Sequence, residues 1–398
     1  MESLAAESKH VTAERKYGLL TAVFFCSGLF IVSALFVTIP LHPLFAADFQ
    51  LTAERAALAS SICSFCYAFG TVCFAPLSDR YGRKRMILLG MISLIIVSPV
   101  IGLLKSYEAI LLVRGLQGFV AASFAPTALT FITELYPQRK RATAIGFISA
   151  GFLMAGIIGQ VYSSTVAALF GWHFVFYILG PIYAFAALAF YVVIPQDSAY
   201  ASEGRRSIIG AFAVVLSQRF FRFCYFITAL LLLSFVGMYT ILESYLQETY
   251  ALEAVHILLV RSAGILGMLL APFGGRLVSR FGVLPLMRTG LALAAMGLSC
   301  IGIFENILLI TLMSVIFTAG ISVTVPALVS LLGQSGGKEK SSAMSLYSFF
   351  LFIGSTLGPV MAVVFMKTGS HLFAFTIMSA FLAVGFLTTF PLAKQAAT

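Results

Sequence analysis

The run Leu77-Ser78-Asp79-Arg80-Tyr81-Gly82-Arg83-Lys84-Arg85 lies between two long apolar stretches. A fainter copy returns 200 residues later as Leu277-Val278-Ser279-Arg280-Phe281-Gly282, followed by Val283-Leu284-Pro285. Each copy puts a glycine where the chain must reverse and basic groups where an apolar stretch ends. A tight basic turn between membrane-crossing segments, repeated at half the chain length, predicts a two-fold repeated membrane protein.

Composition points the same way. Sixty per cent of the residues are hydrophobic and ten per cent charged, against roughly a quarter charged in soluble globular chains. A hydrocarbon core of about 30 Å needs about 20 apolar residues per helix. Twelve such stretches are predicted, at 17–46, 53–77, 86–104, 107–135, 142–169, 172–195, 220–247, 255–279, 285–304, 306–333, 342–367 and 371–391. They must be helices, because barrel strands alternate over segments of about 10 residues. The first sixteen residues are polar and the first apolar stretch is too long for a signal sequence, so no cleavable leader is expected. All six cysteines fall inside the stretches. Cys63 and Cys66 therefore read as small packing residues, and no metal site or cofactor is expected.

The net charge of +10 does not imply nucleic acid, because its distribution follows membrane topology. Twenty of the twenty-five basic residues fall on one side of the twelve stretches. The positive-inside rule then places both termini in the cytoplasm. Short loops and a compact length favour a bacterial cell (inner) membrane as its setting. Residues 196–218 form the longest polar connection and divide the spans into an N-terminal six-helix bundle (1–195) and a C-terminal one (219–398). The offset of 200 also maps Pro126 on Pro326. Two parallel six-span halves are a recurrent transporter architecture.

On these residues the chain resembles the major facilitator superfamily. Leu77-Ser78-Asp79-Arg80-x-Gly82-Arg83-Lys84 is similar to the signature loop between its second and third spans, with Ala75 at the usual leading glycine. Arg114-x-x-Gln117-Gly118-x-x-Ala121-Ala122 resembles the fourth-span motif of proton-coupled members. Gly28, Pro40 and Leu44 are a weaker match to the first-span motif of the twelve-span drug:proton antiporter branch. The fifth-span antiporter motif is only partly present: Gly146, Gly151, Gly156 and Gly159 keep the small residues, but its proline is missing. The resemblance implies an all-α fold of twelve transmembrane helices in two pseudo-symmetric bundles. It implies a gate at the signature loop, with Asp79 facing the helix N-terminus near Ser341-Ser342, where the helix dipole favours an anion. Arg80, Gly82, Arg83 and Lys84 belong to the same loop. Glu134, Arg139 and Arg141 are expected to form a cytoplasmic charge network beside it.

Ionisable groups inside spans are costly and therefore informative. Arg114, Gln117, Glu243, Arg261 and His42 are the coupling candidates. Glu243 reads equally as a partner of Arg261 in a structural salt bridge and as a proton or substrate group, and by predicted depth it is the nearest acid for Arg114. The spans expected to line the cavity carry Phe30, Ser33, Phe36, Thr127, Tyr239 and Ser322 rather than central acids, which suits a neutral or amphipathic organic solute. The expected function is a secondary-active, proton-coupled exporter of small organic molecules, acting as a monomer by alternating access. The alternative is a proton symporter importing a sugar or carboxylate. The alternative of another class is a multispan receptor or enzyme without transport. Against an enzyme, the sequence holds no nucleotide loop and no nucleophile–base set.

Overall fold

A computed structural model describes residues 2–196 and 208–396. The helices of the first half are α1 (Glu2–Ser33), α2 (His42–Asp48), α3 (Ala53–Tyr81), α4 (Arg83–Leu103), α5 (Tyr107–Ala121), α6 (Ala125–Leu135), α7 (Gln138–Phe170) and α8 (Trp172–Val193). A short α9 (Ile208–Ser217) follows. The second half comprises α10 (Arg219–Tyr250), α11 (Ala254–Met268), α12 (Gly274–Phe281), α13 (Val283–Ile301), α14 (Ile307–Ser335), α15 (Lys340–Met366) and α16 (His371–Ala396). Among the described residues eleven helical segments are long and apolar enough to cross a bilayer, and the apolar part of α1, Tyr17–Ser33, supplies a twelfth crossing. The fold is all-α, with twelve crossings in two pseudo-symmetric six-helix bundles.

Three expected spans are interrupted. Span one stops at Ser33, passes through turns and a 3-10 segment at Ile39–Leu41, and resumes as α2. Pro40 and Pro43 explain this, since proline lacks an N–H and crowds the preceding turn. Span four is divided between α5 and α6 just before Pro126, and span eight is divided at Pro272 by a 3-10 segment, Ala271–Phe273. Proline does not always break a span here: α14 runs through Pro326 and α3 through Pro76. The linker also differs from its expected polar character, because its last part is the apolar helix α9. Residues 197–207, with Arg205 and Arg206, lie outside the described residues.

The repeat is visible in the backbone. Gly82 and Gly282 adopt φ of +95° and +83°, a region with no room for a Cβ, so each reverses the chain between two helices within one residue. Among the described residues, Gln50 and Ala251 are the non-glycine residues with positive φ, at equivalent ends of spans one and seven. Ser106 and Asn306 cap equivalent helices, accepting from the N–H of Ala109 and of Leu308. Both glycine turns lie at the same end of the bundle, here termed the basic end.

Within the first bundle α3 packs on α5, α4 on α8 and α1 on α7. In the second, α10 packs on α15 and α13 on α14. The bundles meet where α3 and α6 face α15 and where α7 faces α12 and α14. At that seam glycines allow direct backbone approach near the basic end. A Cβ on Gly146 would lie 2.3 Å from the Ala271 carbonyl oxygen, and one on Gly275 would lie 2.7 Å from the Thr143 nitrogen.

Candidate functional site

The signature loop forms the polar part of the seam. Gly82 turns the chain so that Asp79, at the end of α3, and Arg83, at the start of α4, face each other one helical turn apart. Arg83 Nη2 lies 2.8 Å from Asp79 Oδ1. The same guanidinium donates through Nε and Nη2 to the two Glu134 carboxylate oxygens, at 2.6 and 2.7 Å. This two-pronged, charge-assisted contact ties the end of α6 to the start of α4. Asp79 also accepts a hydrogen bond from the Ser341 side chain of α15, so one carboxylate links the two bundles. Burial pushes its carboxyl above the ordinary value, and this outweighs the opposing pull of Arg83 and Ser341. One turn deeper, Ser345 Oγ donates to the Thr71 carbonyl at 2.7 Å. Deeper still, the Tyr67 ring rests on Phe352, with centroids 4.2 Å apart.

The other loop residues divide between separate tasks. Arg80 is exposed, its guanidinium 5.3 Å from the Tyr81 ring centroid. Lys84 turns inward and donates to the Tyr191 and Ile194 carbonyls at 2.7 and 2.5 Å. It thereby satisfies carbonyls at the end of α8, where the helix dipole is negative, and fastens α4 to α8 within one bundle. The second bundle has a counterpart that the sequence reading missed: Arg288 donates to Thr389 Oγ1 at 3.0 Å and stacks over Phe390. The expected charge network is rearranged. Glu134 joins Arg83, whereas Arg141 donates to the Tyr136 carbonyl at 2.7 Å and Arg139 is exposed.

Arg114 is fully buried on α5. Its Nε donates to the Ala59 carbonyl at 3.1 Å, and its Nη1 donates to the Ala34 carbonyl at 2.8 Å and to Gln117 Oε1. Its Nη2 donates to Thr38 Oγ1 at 3.0 Å. Gln117 in turn donates to Ser98 Oγ at 2.7 Å. The interruption of span one explains the arrangement. Backbone groups inside a bilayer must be satisfied by protein, and the turn after Ser33 frees carbonyls from their usual helical donors. Arg114 takes the Ala34 carbonyl, and Ser163 Oγ takes that of Val37.

Glu243 is joined to Arg261, with Oε2 and Nη1 2.7 Å apart. This is the salt bridge that the sequence offered as one of two equal readings of Glu243; the hydrogen bonds of Arg114 all lie inside the first bundle. Arg261 is nearly buried while Glu243 is about half exposed, at 9% and 48% of the side chain. The Arg261 guanidinium also lies 5.3 Å from the Tyr239 ring centroid. His42 opens α2, and its Nε2 lies 2.8 Å from Ser60 Oγ, which joins the broken end of span one to α3. Among the described residues no cluster of three His, Cys, Asp or Glu side chains could hold a metal ion.

The seam serines were not picked out as a set from sequence. Their signal is the spacing Ser341, Ser345 and Ser348, which lie on one face of a helix and are all buried.

The family model described as Major Facilitator Superfamily matches residues 22–359 and 257–397. An uncharacterized transporter from Buchnera aphidicola subsp. Schizaphis graminum is 24% identical over 346 residues, spanning 86% of this chain and 84% of the relative. Multidrug resistance protein 3 of Bacillus subtilis is 33% identical over 125 residues, 31% of this chain and 24% of that protein. The crystal structure of the human organic anion transporter MFSD10 superposes with a TM-score of 0.76 at 16% identity, covering 93% of this chain and 99% of that one. The signature turn, its copy 200 residues on, the twelve crossings and the family match lead to one conclusion: this chain is an integral membrane transporter, not an enzyme, and it belongs to the Major Facilitator Superfamily.

Proposed function

We propose that the chain is a proton-coupled exporter of small organic or amphipathic molecules, working by alternating access as a monomer in the cell (inner) membrane. In this reading residues 1–195 and 219–398 are the two moving units, 196–218 links them, and the basic end with both termini faces the cytoplasm. The observation that carries it is the Asp79–Ser341 contact, backed by Arg83 and Glu134. It is a small polar latch between bundles that exists in one access state and breaks in the other. A transporter needs two such states separated by a few kcal/mol, and a hydrogen bond is weak enough to be reversible. Arg80, Gly82 and Lys84 support the latch by shaping and fastening its loop.

Two features favour coupling to protons and export. Glu243 is an acid within a span, half exposed and opposite a nearly buried cation, so neutralising it would remove the ionic contact to Arg261. Arg114, Gln117 and His42 hold the facing part of the first bundle. The 125-residue similarity to a multidrug resistance protein supports a reading in which the solute is a drug-like organic molecule. Everted vesicles test this with a panel of fluorescent lipophilic cations and organic anions. Acidifying the lumen should drive accumulation of at least one class. Uptake of a sugar or carboxylate into right-side-out vesicles, driven by external acid, would instead establish symport.

A further inference from the structure

We propose that α9 and the start of α10 form a docking surface for acidic phospholipid headgroups at the basic end. This helix lies outside the twelve crossings, yet its sequence Ala211-Phe212-Ala213-Val214-Val215-Leu216 is apolar throughout. Val215 is buried and Phe212 is partly buried against the core, while Val214 and Leu216 are 50% and 37% exposed. Exposed apolar groups on a helix outside the crossings need a cover. The twelve crossings of their own bundles do not provide it.

The residues that follow identify the cover. One residue, Gln218, separates α9 from α10. On α10 the exposed residues Arg219, Arg222 and Phe226 lie on one face, at helical spacings of three and four. Phe226 belongs to the exposed apolar belt of the crossings. Arg222 sits about 6 Å further along the axis at 1.5 Å per residue and Arg219 a turn beyond it, so the stripe turns from apolar to doubly basic within about two helical turns. An apolar belt that ends in guanidinium groups matches the boundary between acyl chains and phosphates. An apolar helix beside it, with no charge of its own, fits the same depth. Because α9 runs almost directly into α10, a helix held in the leaflet also fixes the depth of the second bundle's first crossing.

Fluorescence gives the test. The chain contains a single tryptophan, Trp172, which begins α8 at the end of the bundle away from α9. Val214→Trp adds a second fluorophore at a half-exposed position. In proteoliposomes of brominated phosphatidylcholine, the added signal should be quenched by lipid, and more strongly when phosphatidylglycerol is included. The double variant Arg219→Gln/Arg222→Gln should lose the preference for the anionic lipid, by roughly fivefold per arginine. Counting phosphatidylglycerol co-purified with the otherwise native chain, with and without the two arginines, gives the same answer without the added tryptophan. Quenching by aqueous iodide but not by lipid would overturn the proposal. So would lipid quenching indifferent to anionic lipid or to the two arginines, which would mean an apolar contact without headgroup recognition.

Discussion

Spans one and seven occupy equivalent places in the two bundles, but only span one is broken. At the offset of 200, Pro40 and Pro43 correspond to Thr240 and Glu243, and α10 continues unbroken to Tyr250. Each span is followed by a residue of positive φ, Gln50 and Ala251. The buried cations follow the difference. Arg114 stands where the second bundle has Ser314, whose hydroxyl donates to Thr311 of its own helix. Arg261 stands where the first bundle has Ser61. The first bundle thus uses its buried arginine to satisfy a broken backbone. The second uses its own to hold an acid at the position where the break would be. One architecture carries two buried guanidinium groups with different tasks, and the presence of proline decides which.

The strongest test of this contrast is stability. Arg114→Ala removes donors from the Ala34 and Ala59 carbonyls, from Gln117 and from Thr38. Each buried polar group left unpaired costs about 1–3 kcal/mol, so a loss on the order of 3 kcal/mol is expected after partial relaxation. Ser314→Ala, at the equivalent position, should cost about 1 kcal/mol or less, because only a bond within its helix is lost. Thermal unfolding in detergent compares the two. Equal losses would mean that Arg114 does not serve the break. Restoring proton-driven transport with Arg114→Lys would also count against this role, since one ammonium cannot reproduce the four directed contacts.

Where the bundles are alike, the effects should be alike. Gly82→Ala and Gly282→Ala each force a Cβ into a left-handed turn, at about 1–2 kcal/mol per site. Equal shifts in unfolding temperature would support the repeat. A much larger shift for Gly82 would mean that the latch adds to the cost of the turn.

Glu243→Gln should cost less, about 1 kcal/mol or under, since the carboxylate is half exposed and such pairs are weak. Arg261 would remain held by the Tyr239 ring. The expected readout is functional: a flatter dependence of transport on pH, with little change in thermal stability. An unchanged pH profile would assign the pair to structure alone.

The sequence revealed the crossings, the two-fold repeat and the glycine turns, because each follows from length, periodicity or a short spacing. The approach of Asp79 to Ser341 was implied only by the resemblance of its loop to the family signature. The breaks were hidden. Proline at 326 is tolerated inside a helix while proline at 126 begins one, and neighbouring packing decides between them. The partners of Arg114 were hidden for the same reason, since carbonyls become free only once the break is known. From sequence Lys84 is one more basic residue of the signature loop, and only the end of α8 beneath it reveals its task.

The smallest expected effect concerns Asp79, whose counterpart in the repeat is Ser279. Read as a simple ionic lock, Asp79→Asn should open the basic end. Burial changes that sign. The latched carboxyl has a pKa raised above the ordinary 3.8, whereas an Asp79 released into water returns toward it. The latched state therefore holds a proton more tightly than the open one, and acidification favours latching. The bias should grow as pH falls through the latched-state pKa and level off below the ordinary value. Asn is neutral at every pH and can still accept from Ser341, so Asp79→Asn should abolish this pH response while leaving the basic end mostly closed. Cysteine labelling of the seam serine positions at several pH values would report it. Labelling of the seam that increases as the pH is lowered would restore the ionic-lock reading, and would make the first bundle's loop differ from its serine-bearing copy in strength as well as in charge.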